Sequence, residues 1–139
     1  MNLASGIAPI RRYLNAGIRV GLGSDVAGGQ TESIFRAITD AVQVSKLYWR
    51  YIDSSAKPLS FAESFYLATK GGGSFFGNAG SFETGFEFDA VVIDDSSAPH
   101  PQMLTLPERL ERAVYLGLDR DGILAKYVRG TEIFANITA

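Results

Sequence analysis

The feature that most constrains this chain is a short apolar run that leads into a glycine-rich loop containing one carboxylate. Residues 18–23 read IRVGLG, and the alternation of Ile18, Val20 and Leu22 predicts a short β-strand. Asp25 follows the strand and is itself followed by paired glycines. Enzymes of the α/β class place chemistry at such strand ends. From the local pattern alone a second interpretation is equally open, in which Asp25 closes an Asx-turn or caps the next helix.

Helical periodicity predicts helices on both sides of this strand. The first covers residues 5–15 with Ser5 as its N-cap, and the second covers residues 31–52. A capping box at residues 60–63 opens a third helix, which the three glycines of residues 71–73 stop or break. Because no strand precedes these glycines, we expect a tight approach between two helices there rather than a phosphate cradle.

The second half of the chain contains shorter elements. Residues 80–85 predict a strand and a turn, and residues 89–94 predict a buried strand. Pro107 marks the start of a further helix. Residues 126–134 predict a β-hairpin in which Gly130 leads a type II′ turn.

Composition limits the functions that are open to the chain. Its 139 residues carry a net charge of −2, so there is no basic field for nucleic acid or an anionic membrane. No apolar run approaches the roughly 18 residues that a membrane span needs, and no signal-peptide pattern is visible. There is no cysteine, which excludes disulfides and thiolate metal ligands. We therefore expect a cytoplasmic location.

Phosphate-binding motifs match the glycine-rich loop poorly. Gly21 and Gly23 supply the first two glycines of a dinucleotide-binding fingerprint, but Val26 occupies the position of the third. No lysine followed by serine or threonine comes after the glycines, so a P-loop is excluded as well.

A complete metal site is also excluded by counting ligands. Catalytic zinc usually takes three protein ligands, mostly imidazoles. His100 is the only histidine and lies between two prolines, which predicts an exposed loop residue rather than a ligand. If Asp25 is catalytic, its partners lie outside this chain.

A resemblance to a known family gives the loop a more specific meaning. Residues 20–29, VGLGSDVAGG, resemble the segment of guanine deaminases that bears their last metal-site aspartate. The strand-end aspartate is shared across the amidohydrolase superfamily, whereas the VAGG continuation is narrower. Residues 2–6, 67–72 and 80–94 also resemble the family, in the same order. Phe88 departs from the pattern, since an alanine is commoner there.

The resemblance implies an α/β fold that is only part of a larger enzyme. Residues 1–77 would be the C-terminal portion of a metal-dependent hydrolase (β/α)8 barrel, namely its last strand with the flanking helices. Residues 78–139 would be the C-terminal portion of an accessory β-sandwich. The histidine ligands and the acid/base glutamate of the family have no counterpart in this sequence, so the chain alone is predicted to be inactive.

The resemblance also implies a reaction and roles for three residues. The intact enzyme would be a zinc-dependent hydrolase of purine catabolism that converts guanine to xanthine and ammonia. Asp25 would bind the zinc ion and move a proton from the attacking water. Gly28 and Gly29 would form a substrate loop that approaches the flat purine closely because they lack a Cβ.

Two alternative functions remain open, and the sequence also predicts the state of assembly. The enzyme could act on another azaheterocycle, because the residues that grip the ring lie mostly outside this chain. The chain could instead be a non-catalytic interaction module derived from such an enzyme. Unpaired strand edges and uncovered apolar faces also predict a homo-oligomer.

Overall fold

The computed structural model describes residues 5–136 of the chain. Within them no helix is long and apolar enough to cross a membrane. The elements, in chain order, are α1 Ile10–Asn15, α2 Ile34–Tyr51, α3 Phe61–Tyr66, a π-helical turn Leu67–Gly71, β1 Ala90–Ile93, α4 Leu106–Leu116, β2 Ile123–Val128 and β3 Thr131–Ala135.

Helix α1 is shorter than the sequence predicts. It begins at Ile10, and Pro9 is its N-cap without a side-chain hydrogen bond, so the prediction of Ser5 as the cap is wrong. The reason is Gly6, whose φ of +91° no right-handed helix can accommodate. Gly17, with a φ of +72°, follows the end of the helix.

Helices α2 and α3 both begin at serine caps. Ser33 accepts a hydrogen bond from the Arg36 backbone N–H at 3.0 Å. At α3 the predicted capping box is present, because Ser60 Oγ accepts from Glu63 N and Glu63 Oε2 accepts from Ser60 N. Ile38 on the inner face of α2 is 1% exposed. The helical period thus predicted α2, although three residues too early at its start, and the capping box predicted the start of α3.

The predicted strand at residues 18–23 is not a strand of any sheet in the described part of the chain. A strand is defined by a ladder of hydrogen bonds to a neighbour. This segment bonds to a helix end instead, since the Leu22 N–H donates to the Leu67 carbonyl at 3.1 Å. Gly71 and Gly72 pack against Val20 and Gly21 of the same segment, and Gly73 packs against the Ala79 backbone, so the expected approach between two helices is wrong.

The three strands form one antiparallel sheet in the order β1-β2-β3. Val128 pairs with Thr131, so the hairpin loop consists of Arg129 and Gly130. Their φ angles are +49° and +76°. Two positive φ angles are typical of a type I′ turn, so the predicted II′ turn is wrong by type and by one position.

The sheet is more exposed than the sequence predicts. Val91 and Val92 of β1 are 53% and 43% exposed, so the expected buried strand is half-exposed. Residues 80–85 form bends and a turn rather than a strand. Neither face of the sheet is fully covered by another layer within residues 5–136, which is why strand residues stay open to solvent.

The core lies among α2, α3 and α4. Helix α4 begins with a second capping box, between Thr105 and Glu108, and packs against α2. Its ring contact with α3 joins Phe61 and Tyr115, with centroids 6.4 Å apart. The buried apolar residues of the described chain are Ile38, Val42, Ala56, Leu59, Leu67, Ala113 and Val114.

Candidate functional site

Asp25 lies on the surface, at the start of a tight loop. Its φ is +48°, a left-handed conformation that aspartate tolerates better than most residues. Its backbone carbonyl accepts a hydrogen bond from the Gly29 N–H, and an isolated bridge joins Val26 to Gly29. The loop therefore folds back on itself directly after the carboxylate.

The two predicted substrate-loop glycines are packed against Asp25 and the residue before it. A Cβ built on Gly28 would lie 2.5 Å from Asp25 Oδ2 and 3.1 Å from its carboxyl carbon. A Cβ on Gly29 would overlap the Ser24 carbonyl oxygen and lie 2.9 Å from the Asp25 carbonyl oxygen. The loop backbone itself thus requires glycine at position 29, whereas a side chain at position 28 would meet only the movable Asp25 carboxylate.

The segment before Asp25 is held by the end of α3. A Cβ on Gly21 would lie 2.9 Å from Gly72 Cα, and a Cβ on Gly71 would lie 3.1 Å from the Val20 carbonyl oxygen. The π-helical turn lies at this contact, and the Leu67 carbonyl accepts from both Gly72 N and Leu22 N. A local widening of this kind often accompanies functional sites, because it frees a backbone group for another partner.

The segment after the loop is fixed to α2. Gln30 Nε2 donates to Asp40 Oδ2 at 2.9 Å, and Asp40 also pairs with Arg36 at 2.8 Å. The Ser33 backbone N–H donates to Thr31 Oγ1 at 3.1 Å. The loop is therefore tethered on both sides of Asp25.

The carboxylate of Asp25 is suited to bind a metal ion as one ligand among several. Within residues 5–136 it forms no ion pair and no hydrogen bond. In the same range no three His, Cys, Asp or Glu side chains lie close enough to hold a metal ion. An exposed oxygen donor fits a divalent cation, but the further ligands would have to come from other residues.

A wide apolar groove runs beside the segment that leads to Asp25. It has a volume of about 1480 Å³, and Gly21, Leu22 and Gly23 form part of its wall. Aromatic side chains of α3 and of the following loop line much of the rest, namely Phe61, Phe65, Tyr66, Phe75, Phe76 and Phe82. Asp25, Gly28 and Gly29 do not line it, so the structure does not bring the predicted site residues and this groove together.

His100 lies apart from the loop, as predicted for an exposed residue. Its Nδ1 atom lies 3.2 Å from both the backbone nitrogen and the carbonyl oxygen of Gln102. It borders a second cavity of about 190 Å³, where Arg109 is paired with Asp95 at 2.7 Å. No residue of the 18–29 segment lines that cavity.

The strongest carboxyl pKa shift marks a structural contact. Arg11 donates to both Glu63 oxygens, at 2.9 and 3.0 Å, and these bonds lower the pKa of Glu63 to about 2. Arg11 also donates to the carbonyls of Lys57 and Pro58. This cluster joins α1 to the start of α3.

Sequence reasoning missed the residues that tether the loop. Ser33, Asp119 and Leu67 have no motif of their own, and their roles depend on contacts between distant parts of the chain. Ser33 could have been found as an N-cap, because it precedes a periodic apolar run. No local signal points to Asp119 or to the Leu67 carbonyl.

Comparison with known proteins gives one consistent family. The sequence model of the amidohydrolase family matches residues 1–132. Guanine deaminase of Dictyostelium discoideum is 36% identical over 138 residues, which cover 94% of this chain and 30% of that protein. The chain therefore spans about a third or less of the relatives that it matches.

Solved structures agree with the sequence match. A crystal structure of guanine deaminase from C. acetobutylicum, with guanine bound in the active site, is 53% identical with a TM-score of 0.87. The match covers 95% of this chain and 31% of that one. Guanine deaminase of E. coli is 29% identical with a TM-score of 0.78, over 97% of this chain and 32% of its own.

Proposed function

This chain belongs to the amidohydrolase family, and we propose that its residues form part of a hydrolytic guanine deaminase. The observation that carries the proposal is the likeness, at 53% identity and a TM-score of 0.87, to a guanine deaminase with guanine in its active site. The family and these structures give the chain the fold of part of a TIM-barrel hydrolase. We also propose that the second part of the chain forms part of an accessory β-sandwich, which the three-stranded antiparallel sheet supports.

Asp25 is the residue to which we assign the chemistry. The family is generally metal-dependent, and we propose zinc as the metal. The bound metal would supply Lewis-acid activation. The exposed carboxylate of Asp25 would hold it through an oxygen atom, as one of several ligands.

Asp25 would also move a proton in the reaction. Water adds at C2 of guanine, the bond between C2 and the amino nitrogen breaks, and xanthine and ammonia leave. The carboxylate accepts a proton from the water and returns it to the departing nitrogen. Gly28 leaves room for this carboxylate, which occupies the space that a Cβ would fill there. We also propose that Gly28 and Gly29 contact the purine ring.

The remaining features of the proposal concern organisation. We assign residues 1–77 to the barrel and residues 78–139 to the accessory region, with α4 reaching back onto α2. We also propose a homo-oligomer, which the exposed apolar side chains of the sheet, such as Ile133 and Phe134, support. Light scattering of the complete protein tests this assembly.

We propose a cytoplasmic location for the protein.

The test is a substrate panel on the complete enzyme that contains this chain. Guanine should be hydrolysed at least about tenfold faster, in kcat/KM, than other amino-substituted purines or triazines. Faster turnover of another azaheterocycle would move the proposal to that substrate. Absence of any turnover by the folded, zinc-loaded protein would favour an interaction module.

The role of Asp25 is tested with a matched control in the same loop. Asp25→Asn should lower kcat by at least about three orders of magnitude, since a ligand and a proton carrier are lost together. Glu32→Gln removes one exposed charge nearby and should leave kcat within about twofold. If Asp25→Asn kept more than about a tenth of the activity, Asp25 would not carry the proton.

A further inference from the structure

One hydrogen bond ties the two halves of the chain together near the loop. Ser33 Oγ donates to Asp119 Oδ2 at 2.6 Å, across 86 residues of sequence. Ser33 is the N-cap of α2, and Asp119 lies in the turn that follows α4. Both side chains are partly buried. Hydrogen bonds from a hydroxyl to a carboxylate oxygen are shorter and stronger than those between neutral groups.

Asp119 determines how Ser33 uses its hydroxyl group. The same Oγ accepts the Arg36 backbone N–H at 3.0 Å. Because the hydroxyl proton is directed to Asp119, the oxygen lone pair is oriented toward the first turn of α2. A carboxylate at this helix N-terminus is also favoured by the helix dipole. Asp119 therefore holds the start of α2 in one orientation.

The start of α2 is the downstream end of the Asp25 loop. Upstream, the Leu22 N–H is bonded to the Leu67 carbonyl at 3.1 Å. Between these points the chain contains Gly28 and Gly29, which restrict the backbone least of all residues. The orientation of the Asp25 carboxylate consequently depends on how well both ends are held. The Ser33 end is held partly by a residue from the other half of the chain.

We propose that Asp119 is a positioning residue for Asp25. It acts through Ser33 and the loop, without contact with the reacting atoms. The inference rests on the proposed function for its effect on turnover, whereas its effect on loop order is independent of that function.

The experiment compares three variants of the complete enzyme. Asp119→Ala removes the acceptor, Asp119→Asn keeps an oxygen acceptor without the charge, and Asp121→Ala changes an exposed aspartate of the same turn. Asp119→Ala should lower kcat about tenfold with KM nearly unchanged, as supporting residues around a catalytic ligand typically do. Asp119→Asn should recover most of that loss, and Asp121→Ala should behave as the wild type.

Hydrogen exchange of residues 25–33 gives the readout that does not depend on activity. Exchange there should accelerate about tenfold in Asp119→Ala, and much less in Asp119→Asn. Unchanged kcat and unchanged exchange in Asp119→Ala would overturn the inference, as would equal effects in the alanine and asparagine variants. If the wild-type enzyme does not hydrolyse guanine, the proposed function fails, while the exchange comparison still decides whether Asp119 orders the loop.

Discussion

The helices and the sheet of this chain bury their side chains to very different extents. Every buried apolar residue of the described chain lies on α2, α4 or the π-helical turn, or in the loop between α2 and α3. In the same residues 5–136, none of the three strands contains a buried side chain. Val128, Ile133 and Phe134 are all exposed.

This difference in burial shows which part of the molecule holds the Asp25 loop. Helices bury an apolar stripe against one another, whereas a sheet needs a second layer on its face. The segment before Asp25 is bonded to the end of α3, and the segment after it leads into α2. The loop is therefore attached to the well-packed part of the molecule, and the turn between α4 and β2 contacts the start of α2 through the bond of Asp119 to Ser33.

A matched pair of isoleucine substitutions tests this difference with the largest expected effect. Ile38 on α2 is 1% exposed and Ile133 on β3 is 61% exposed. Ile38→Ala should lower the free energy of unfolding by about 2–5 kcal/mol, because it removes buried methylenes and leaves a cavity. Ile133→Ala should cost less than about 0.5 kcal/mol. Urea unfolding at one protein concentration measures both.

Equal losses in the two isoleucine variants would contradict the comparison. They would show that Ile133 is buried in solution by another chain or another layer. Lower association of an Ile133→Lys variant in light scattering would then identify that contact as intermolecular.

A pair of glycine substitutions tests the contact between the Asp25 segment and α3. Gly21→Ala should cost about 1–3 kcal/mol, since its Cβ would lie 2.9 Å from Gly72 Cα. Gly23→Ala is the control, because no atom lies within 4 Å of its Cβ and its stability should be nearly unchanged. Thermal unfolding distinguishes the two, and equal melting temperatures would mean that the segment does not sit on the helix end.

A smaller effect is expected from the pH dependence of the Arg11–Glu63 pair. The pKa of Glu63 is lowered to about 2 by hydrogen bonds from Arg11 and Ser60. A carboxyl with a lowered pKa stabilises the fold above its unfolded pKa, and this stabilisation is lost as the pH falls toward 2. Arg11→Ala should therefore cost about 1–2 kcal/mol at pH 7 and progressively less below about pH 4.

Arg12→Ala provides the control in the same helix. Arg12 pairs with Asp53 at 3.0 Å, but its side chain is 67% exposed against 15% for Arg11. Its removal should have a smaller effect on stability with a weaker pH dependence. If the free energy of unfolding depended on pH in the same way in both arginine variants, the Arg11–Glu63 pair would stabilise the fold no more than the exposed Arg12–Asp53 pair does.

Much of the helical layer could be predicted from the sequence, because its signals are local. Ser60 and Glu63 form their capping box within four residues, and the apolar period predicted the helix α2. The predicted position of the hairpin turn was wrong by one residue. Types I′ and II′ both accept glycine, and the strand register, which places Arg129 and Gly130 in the loop, decides between them.

The candidate site was predictable only in part. The strand-like run and the loop composition singled out Asp25 as a candidate, and the roles of Asp25, Gly28 and Gly29 came from the family resemblance and stay predictions. In the described residues 5–136 the segment at residues 18–23 joins no sheet, since a strand needs a neighbouring strand that the local sequence does not identify. Ser33 and Asp119 meet across 86 residues, and no local pattern encodes such a contact.

The most direct test of the central claim transfers this chain into an established enzyme. The chain would replace the matching 31% of the C. acetobutylicum guanine deaminase, with which it is 53% identical. We expect the chimera to hydrolyse guanine within about tenfold of the parent rate, and the same chimera with Asp25→Asn to lose at least about three orders of magnitude. A folded chimera that is inactive with Asp25, or equally active with asparagine, would contradict the account.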